Sequence, residues 1–313
     1  MGKEHYLREL EPLKECRLCP HECGSNRFDS ANGFCKTGAG FPVASVVSHI
    51  GEEPVISGSN GICNVFFSHC NLQCIYCQNY QISFNSCKAI DRDWTFDEVM
   101  ETIISFLDKG IENVGFVSPS HVVPQVKIII NELHASGYHP VIVYNTNAYE
   151  KVETLQSLEG LVDVYLPDLK YMDEKLAGRW SGARNYPKIA GNAVKEMFRQ
   201  KGNGFVTGEH GKLLFGMVVR HLVLPGSVEN SLKVLRFLAE KVSNRIAVSL
   251  MSQYHPIQQV MNTNLLNREI TENEYRMVVA EMENLGFSRG WIQEPESSSY
   301  YNPDFTDKMP FRE

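Results

Sequence analysis

The sequence predicts an α/β fold built on a parallel sheet and preceded by a cysteine-rich segment. From Val65 onward, short apolar runs rich in β-branched residues alternate with longer segments of helical period, which is the pattern of repeated βα units. The first 60 residues instead hold four of the nine cysteines and little periodic pattern. We therefore expect a metal-binding extension at residues 1–60, an α/β domain at residues 61–292 and an extended tail at residues 293–313.

Six apolar runs account for the expected strands. Both faces of each run would be buried, as in a parallel sheet that helices cover on either side. The runs span residues 64–68, 113–118, 141–145, 162–167, 216–224 and 246–252.

Segments of helical period connect these runs. The clearest has Asp97 and Glu98 in its first turn and Lys109 followed by Gly110 at its end, which suits both the helix dipole and the cap. The same pattern predicts two further helices within residues 171–212. The clearest helix spans residues 95–108. The expected helices elsewhere in the chain span residues 122–135, 149–158, 228–241 and 271–285.

Composition narrows the class of protein. The 313 residues are 43% hydrophobic and 21% charged, as in soluble globular proteins, and no apolar run approaches the ~20 residues of a membrane span. The charged start MGKEHYLRELEPLKE argues against a signal peptide, so we expect a cytoplasmic protein. A net charge of -7 argues against nucleic acid as a partner. Nine cysteines in such a chain indicate metal ligation rather than disulfides.

Three cysteines form the strongest motif. Cys70, Cys74 and Cys77 follow the first expected strand at spacings of four and three. A [4Fe–4S] cluster usually takes four cysteines, so three local ligands leave one iron open to a chelating molecule. S-adenosylmethionine (SAM) supplies such a chelate through its amino and carboxylate groups. The alternative is a zinc knuckle or a chance meeting of core cysteines, but the spacing and the βα series that follows it favour the cluster.

This CxxxCxxC motif, with Tyr76 just before its last cysteine, resembles the signature of the radical SAM superfamily. Residues 66–79, FFSHCNLQCIYCQN, look most like the pyruvate formate-lyase activating enzyme-like group. Matching segments are PVIVYNTN at 140–147, DVYLPDLK at 163–170, RHLVLPG at 220–226 and QYHP at 253–256. The resemblance implies a radical SAM partial (β/α)6 barrel with a Cys-rich N-terminal extension, with SAM lying across the carboxyl ends of the strands.

The resemblance also implies residues that hold SAM or substrate. Ser118 and Ser120 stand where similar enzymes often have Gly-Gly-Glu, and either hydroxyl can accept a hydrogen bond from the SAM ammonium; alternatively, Ser120 caps the following helix. Asn145 stands where activating enzymes tend to have an aspartate that forms a cation site with the equivalent of Asp168. Tyr76 precedes the last cysteine of the motif and completes this group.

Four further positions extend this set. Asp168 and Lys170 are two apart, so in an extended chain they share a face, and the resemblance puts Lys170 near the SAM carboxylate; a strand-end salt bridge is the alternative. Arg220 can bind the SAM carboxylate bidentately or can be a paired barrel residue. His255, with Tyr254, matches a Tyr-His pair near SAM in activating enzymes, and its alternative is a structural histidine.

Four more cysteines lie in the N-terminal extension. Cys16, Cys19, Cys23 and Cys35 have spacings suited to a tetrahedral zinc ion or to a second iron–sulfur cluster, and His21 can replace one ligand. Similar Cys-rich leaders occur in the activating enzyme-like group. We favour zinc because a small loop-rich segment lacks a core of its own; an electron relay is the rival interpretation.

Three residues near the motif are not explained by it. Cys63 and Cys87 are most simply buried small hydrophobes. His69 occupies a position that is usually glycine in the family that the motif resembles.

The expected function follows from the resemblance. A one-electron reductant such as flavodoxin or ferredoxin reduces the cluster, SAM splits, and the 5′-deoxyadenosyl radical abstracts hydrogen from a substrate. The resemblance suggests an oxidoreductase that activates a glycyl radical enzyme. Radical modification of a small metabolite or a peptide is the alternative, and a non-catalytic iron–sulfur or zinc regulatory protein is the alternative of another class.

Overall fold

The core of the protein is a nine-stranded sheet, seen in a computed structural model that describes residues 3–58, 60–86, 94–208, 211–294, 303–307 and 310–311. The strand order is β1-β2-β3-β4-β5-β7-β8-β9, and β6 pairs with β7. The strands are β1 (Val43–His49), β2 (Ile62–Phe67), β3 (Asn113–Val117), β4 (Val141–Thr146), β5 (Val164–Pro167), β6 (Phe205–Thr207), β7 (Leu213–Leu222), β8 (Ala247–Met251) and β9 (Gly290–Ile292).

The six expected strands are confirmed as β2, β3, β4, β5, β7 and β8, with bounds that differ by up to three residues. They lie side by side and parallel, as continuous apolar runs predict. Three strands were not predicted. Two of them pair antiparallel, β1 with β2 and β6 with β7, whereas β9 extends the parallel series.

Strand β9 approaches β8 closely because of one glycine. Gly290 has φ 129°, and a Cβ at this position would lie 1.8 Å from the Val248 carbonyl oxygen. Only glycine accommodates both this backbone angle and this contact. The short β9 therefore depends on a single residue rather than on an apolar run.

Most of the helices pack with the strands and loops in one large core, and α2 (Pro54–Ser57) belongs to a second, smaller core. All the expected helices are found. The helix expected at 122–135 is confirmed, and residues 171–212 contain the two helices expected there. The helix expected at 149–158 is shorter, and the helix expected at 228–241 ends at Leu238 and continues as a π-helical turn. They are α1 (Lys3–Leu10), α2 (Pro54–Ser57), α3 (Tyr80–Ser83), α4 (Phe96–Leu107), α5 (Val123–Ala135), α6 (Val152–Gln156), α7 (Glu174–Ser181), α8 (Tyr186–Lys201), α9 (Val228–Leu238) and α10 (Glu272–Asn284).

Two helices begin with a capping box, which was not predicted from the sequence. The Thr95 hydroxyl accepts a hydrogen bond from the backbone of Glu98, whose carboxylate accepts one from the backbone of Thr95. Thr271 and Glu274 form the same reciprocal pair at α10. These capping boxes fix where α4 and α10 begin.

The inner face of the sheet has a core of its own. Ile56 of α2 packs against inward side chains of the strands, including Ile62, Val143, Val218 and Ala247. Helix α2 therefore covers the inner face near the amino ends of the strands. Since α2 and β1 precede residue 60, the expected N-terminal extension contributes directly to the sheet.

Part of the C-terminal tail lies against the first strands. Phe305 and Phe311 contact Phe66 of β2 with ring centroids 5.2 and 5.6 Å apart. Cys87 and residues 295–302 lie outside the described residues. In the described ranges, no helix is both long and apolar enough to cross a membrane.

Candidate active site and cysteine centres

A cavity of about 400 Å³ opens on the inner face of the sheet, toward the carboxyl ends of the strands. Residues that are register partners in neighbouring strands line its wall together. Val117 lies beside both Phe66 and Asn145, and Arg220 lies beside Asp168 and Ser249. A volume of this size is typical of small-molecule sites.

Cys70, Cys74 and Cys77 all line this cavity. Their loop leaves β2 through His69, whose φ of 66° lies in the left-handed region. The backbone amide of Ile75 donates a hydrogen bond to the Trp180 carbonyl, and the amide of Cys70 donates to the Asn85 side chain. The loop is thus fixed by α7 on one side and by the residues after α3 on the other.

Each of the three sulfur atoms lies close to a different polar side chain. Asn147 Nδ2 donates to Cys70 Sγ at 3.4 Å. Ser181 Oγ lies 3.0 Å from Cys74 Sγ, and Ser83 Oγ lies 3.1 Å from Cys77 Sγ. Such donors stabilise thiolates and the sulfur ligands of iron–sulfur clusters.

Burial keeps these cysteines protonated in the absence of a metal. It raises the pKa of all three thiols, to about 11 for Cys74, where Lys170 partly opposes the effect. A metal replaces those protons when it binds. Three adjacent, donor-supplied thiols fit a [4Fe–4S] cluster with one open iron, since a cluster distributes its cysteine ligands over several irons. Among the described residues, no three Cys, His, Asp or Glu side chains form a group suited to one metal ion.

A buried charge network crosses the cavity from the cysteines toward α2. Lys170 Nζ lies 2.9 Å from Asp168 Oδ2, and Arg220 Nε lies 2.8 Å from Asp168 Oδ1. The Arg220 guanidinium also donates to Asn145 Oδ1 at 2.6 Å and to Glu52 Oε2 at 3.1 Å. Arg220 therefore occupies the space between Asn145 and Asp168 with a cation that belongs to the protein.

The charges in this network shift one another. Burial raises the pKa of Asp168, but Arg220 and Lys170 outweigh it and bring the pKa below its ordinary value. For Lys170, burial lowers the pKa, whereas Asp168 raises it, and so would Cys74 and Cys77 as thiolates, so that the pKa lies above its ordinary value. The acid and both bases are therefore charged near neutral pH.

The structure brings most of the predicted SAM-binding residues to one wall. Tyr76, Ser118, Asn145, Asp168, Lys170 and Arg220 all line the cavity. Two structural alternatives that the sequence left open are also present. Asp168 and Lys170 form an ion pair, and Arg220 is paired with Asp168.

Two predicted residues lie elsewhere. The Ser120 hydroxyl points away from the cavity and donates to Glu150 Oε1 at 2.7 Å, and α5 begins after Val122 without a side-chain cap. His255 is half-exposed and pairs with Glu269 at 3.1 Å. Neither belongs to the described lining of the cavity.

Several residues of the site were not predicted. Asn147 follows β4 within a segment singled out from the sequence, so its position after a strand end was a usable signal. Ser83 and Ser181 lie in helices that carry no motif. Glu52 and Glu53 lie in the expected extension, and their place on the cavity wall depends on how α2 packs.

The N-terminal cysteines lie in a loop next to the strand ends. Cys16 pairs through its backbone with Ser25, and the amide of Glu22 donates to the Cys19 carbonyl. Burial raises the pKa of the Cys19 thiol to about 12, with smaller contributions from the neighbouring Cys35 and Cys16 and an opposing backbone hydrogen bond from His21. The side chain of Cys23 is more exposed and lies 3.4 Å from Ser25 Oγ.

This loop contacts the loop of Cys70, Cys74 and Cys77 directly. His21 Nε2 lies 2.8 Å from the Asn71 carbonyl, and its ring stacks on Phe34 at 3.6 Å. The Asn85 side chain donates to the Phe34 carbonyl and accepts from the Cys70 amide. The two cysteine centres therefore share hydrogen-bond partners.

The two other residues near the motif are now described. Cys63 is fully buried in β2 with a pKa raised to about 12 by burial, which confirms it as a core residue. The left-handed φ of His69 gives a physical reason why glycine suits that position.

Comparisons with known proteins add relatives but little on function. No family model matches the chain. A curated protein described as uncharacterized protein MJ0674, from Methanocaldococcus jannaschii, is 29% identical over 284 residues, which cover 87% of this chain and 76% of that protein.

Two solved structures of Streptococcus suis SuiB are similar in part. One is bound to the precursor peptide SuiA, with a TM-score of 0.45, 18% identity and coverage of 69% of this chain and 43% of that chain. The other has a TM-score of 0.46, 16% identity and coverage of 72% and 47%. The chain thus spans less than half the length of the SuiB chains that it matches.

Proposed function

We propose that this protein is a radical SAM enzyme. The observation that carries the proposal is the group of Cys70, Cys74 and Cys77 on the wall of a 400 Å³ cavity, with a polar side chain close to each sulfur. A [4Fe–4S] cluster bound by these cysteines supplies one electron to SAM, which splits into methionine and the 5′-deoxyadenosyl radical that takes hydrogen from a substrate.

The protein's own residues orient SAM. Among the described residues, Lys170 Nζ pairs with Asp168 and lies near the thiols of Cys74 and Cys77, so it is suited to bind the SAM carboxylate. Arg220 acts indirectly because its guanidinium is already bonded to Asp168, Asn145 and Glu52. It holds Asp168 in place and thereby fixes Lys170.

Modification of a small metabolite or a peptide is the substrate class that the site favours. The activating enzymes have an aspartate where this chain has Asn145, and here the guanidinium of Arg220 fills the space beside Asn145 and Asp168. This departure speaks against the cation site of a glycyl radical activase. Activation of a glycyl radical enzyme remains the second candidate.

The resemblance also suggests the curvature of the sheet, the reductant and the cellular compartment. The cavity wall draws on β2, β7, β8 and β9, which supports a sheet curved into a partial barrel. We expect flavodoxin or ferredoxin as the reductant and the cytoplasm as the compartment, because thiols stay reduced there.

Production of 5′-deoxyadenosine tests the proposal. Anaerobic protein with SAM and dithionite is expected to release 5′-deoxyadenosine, and the Cys70→Ala/Cys74→Ala/Cys77→Ala variant provides the control. If the wild type releases no more than the variant, the proposal is wrong and a non-catalytic metal-binding protein becomes the better interpretation.

The N-terminal cysteines are the candidate for a second metal centre in this proposal, with zinc favoured over an iron–sulfur cluster. The described side chains do not form a ready group of three ligands for one ion, so metal binding would have to draw these cysteines together. Three of the four thiols are buried, and Cys16, Cys19 and Cys35 are near enough to influence one another electrostatically. Metal analysis of a Cys16→Ser/Cys19→Ser variant tests this. Loss of zinc with iron unchanged supports zinc, and loss of iron with zinc unchanged contradicts it.

A further inference from the structure

The floor of the cavity, defined by Glu52 and Glu53 just before α2, is acidic. These residues lie on the wall together with Arg220 and Ser249. Ile56, three residues on from Glu53, is fully buried in the inner-face core, so α2 holds the floor in place. The two carboxylates therefore belong to the rigid part of the fold.

Glu52 is fully occupied by protein partners. Its Oε1 accepts from Asn64 Nδ2 at 3.1 Å, and its Oε2 accepts from Arg220 at 3.1 Å. Asn64 reaches Glu52 because β3 has glycine beside it: a Cβ on Gly115 would lie 2.1 Å from Asn64 Oδ1. Glu52 is thus part of the charge network rather than a group open to a ligand.

Glu53 differs from Glu52 in one respect. Its Oε2 is buried and has no hydrogen-bond partner among the described residues. Burial and the neighbouring Glu52 raise the pKa of Glu53, while Arg220 and a hydrogen bond with Ser249 oppose the shift. A buried carboxyl oxygen without a partner is costly, and a donor from a bound molecule would remove that cost.

The charges of the described lining residues leave an acid in excess. With Glu53 ionised, the anions are Glu52, Glu53 and Asp168 and the cations are Lys170 and Arg220; His49 also lines the cavity, but burial lowers its pKa to about 4. Both cations are already bonded to Asp168, and Arg220 is also bonded to Glu52. Arg220 also acts on Glu53, but Glu53 Oε2 keeps no hydrogen-bond partner among the described residues, so a cationic ligand placed there would pair with Glu53 and favour its ionised form.

Resting on the function proposed above, we propose that the substrate carries an ammonium or guanidinium group and that Glu53 binds it. The ion-pair chain Lys170–Asp168–Arg220 runs from the side of Cys74 and Cys77 to the side of Glu53. We assign the cation to the substrate, because the SAM amino group is expected at the open iron beside the cysteines. Met251 and Trp291 line the same cavity and provide an apolar wall for its stem.

Equilibrium binding of small probes tests this inference. Butylammonium, butylguanidinium, butyrate and butanol are titrated calorimetrically into the full chain with its metals, with and without SAM. Both cations are expected to bind, with butyrate and butanol weaker by about tenfold or more, and Glu53→Gln is expected to weaken both cations by about tenfold or more. Glu272→Gln, on an exposed acid of α10, is the matched control and should bind like the wild type.

Selectivity of the wild type keeps the inference falsifiable if Glu53→Gln does not fold. No binding of either cation, equal binding of butyrate, or unchanged affinity in a folded Glu53→Gln variant would each overturn it. The readout requires no SAM cleavage. Cation binding without 5′-deoxyadenosine contradicts the proposed function alone, and 5′-deoxyadenosine without selective cation binding contradicts this inference alone.

Discussion

Ser181 Oγ lies 3.0 Å from Cys74 Sγ, and the same hydroxyl lies 2.9 Å from Tyr171 Oη. Tyr171 in turn donates to Tyr76 Oη at 2.7 Å. All four side chains are buried, so water does not compete for these bonds. Helix α7, which ends at Ser181, thus provides polar contact to a cysteine of the candidate cluster site.

Replacing Ser181 with alanine is expected to lower the reduction potential of the bound cluster. A hydrogen bond to sulfur favours the more negative, reduced cluster, so its loss disfavours reduction. A contribution of about 1 kcal/mol corresponds to about 40 mV for one electron. Potentiometric titration followed by electron paramagnetic resonance measures the change.

Two further variants provide a second test and a control. Ser83→Ala removes the hydroxyl 3.1 Å from Cys77 Sγ and should shift the potential in the same direction. Ser136→Ala, on an exposed residue at the end of α5, should leave the potential unchanged. An unchanged potential in both Ser83→Ala and Ser181→Ala would mean that these hydroxyls do not donate to the bound cluster.

Replacing Arg220 with glutamine is expected to lower the free energy of unfolding by about 3 kcal/mol or more, because it leaves buried acids without their counter-charge. Its partners are Asp168, Glu52 and Asn145. Urea unfolding measures the loss. In the Arg220→Gln/Glu52→Gln double variant the loss should be smaller than the sum of the two single losses; strict additivity would contradict the pairing.

The sequence predicts the strands of this fold better than its site. A buried parallel strand is a local property, visible as a continuous apolar run, and so β2 through β5 could be read directly. The contacts of the site join residues far apart in the chain: Ser181 lies 107 residues from Cys74, and Arg220 lies 168 residues from Glu52. No local pattern records such pairs.

A resemblance to known motifs locates residues along the chain but does not give the direction of each side chain. It pointed to Asp168, Lys170 and Arg220, which do line the cavity, because they directly follow or occupy strands. It also pointed to Ser120, whose side chain turns toward Glu150 since the chain makes a short 3₁₀ turn after β3. A one-residue difference in such a turn changes which side chain faces the cavity.

Replacing Gly115 with alanine is expected to destabilise the fold by about 1 to 3 kcal/mol through overpacking. The added Cβ would lie 2.1 Å from Asn64 Oδ1 and 2.9 Å from Ile62 Cδ1. Urea unfolding measures the effect. Gly115→Ala/Asn64→Ala removes the shorter contact and should lose less stability than the two single variants combined; if the losses simply add, Asn64 is not what excludes the Cβ.

Glu150 is expected to make stability depend on pH. Its Oε1 accepts bonds from Ser120, Tyr144 and Thr146, and its Oε2 has no partner among the described residues. Burial raises its pKa above the ordinary 4.5. A raised carboxyl pKa means that its stabilising contribution is complete below the unfolded value and is lost as pH rises through the folded value.

The Glu150→Gln variant tests this sign. As pH rises above 4.5, the free energy of unfolding of the variant should increase relative to that of the wild type. At lower pH the difference between the two should stay constant. Unfolding in urea over a pH series gives both curves. Glu272→Gln should show no such gain, and a Glu150→Gln curve parallel to the wild type throughout would show that Glu150 is ionised as easily in the fold as in the unfolded chain.

His69 is expected to serve through its backbone rather than its ring. Its φ of 66° is unfavourable for a residue with a side chain, and its buried Nδ1 has no partner among the described residues. His69→Gly should therefore retain iron, with a free energy of unfolding within about 1 kcal/mol of the wild type, because relief of strain offsets the greater entropy of unfolded glycine. His69→Val should be clearly less stable, since a β-branched residue tolerates this region worst. Iron analysis and urea unfolding check both variants, and loss of iron from a well-folded His69→Gly protein would instead assign the imidazole a role at the cluster.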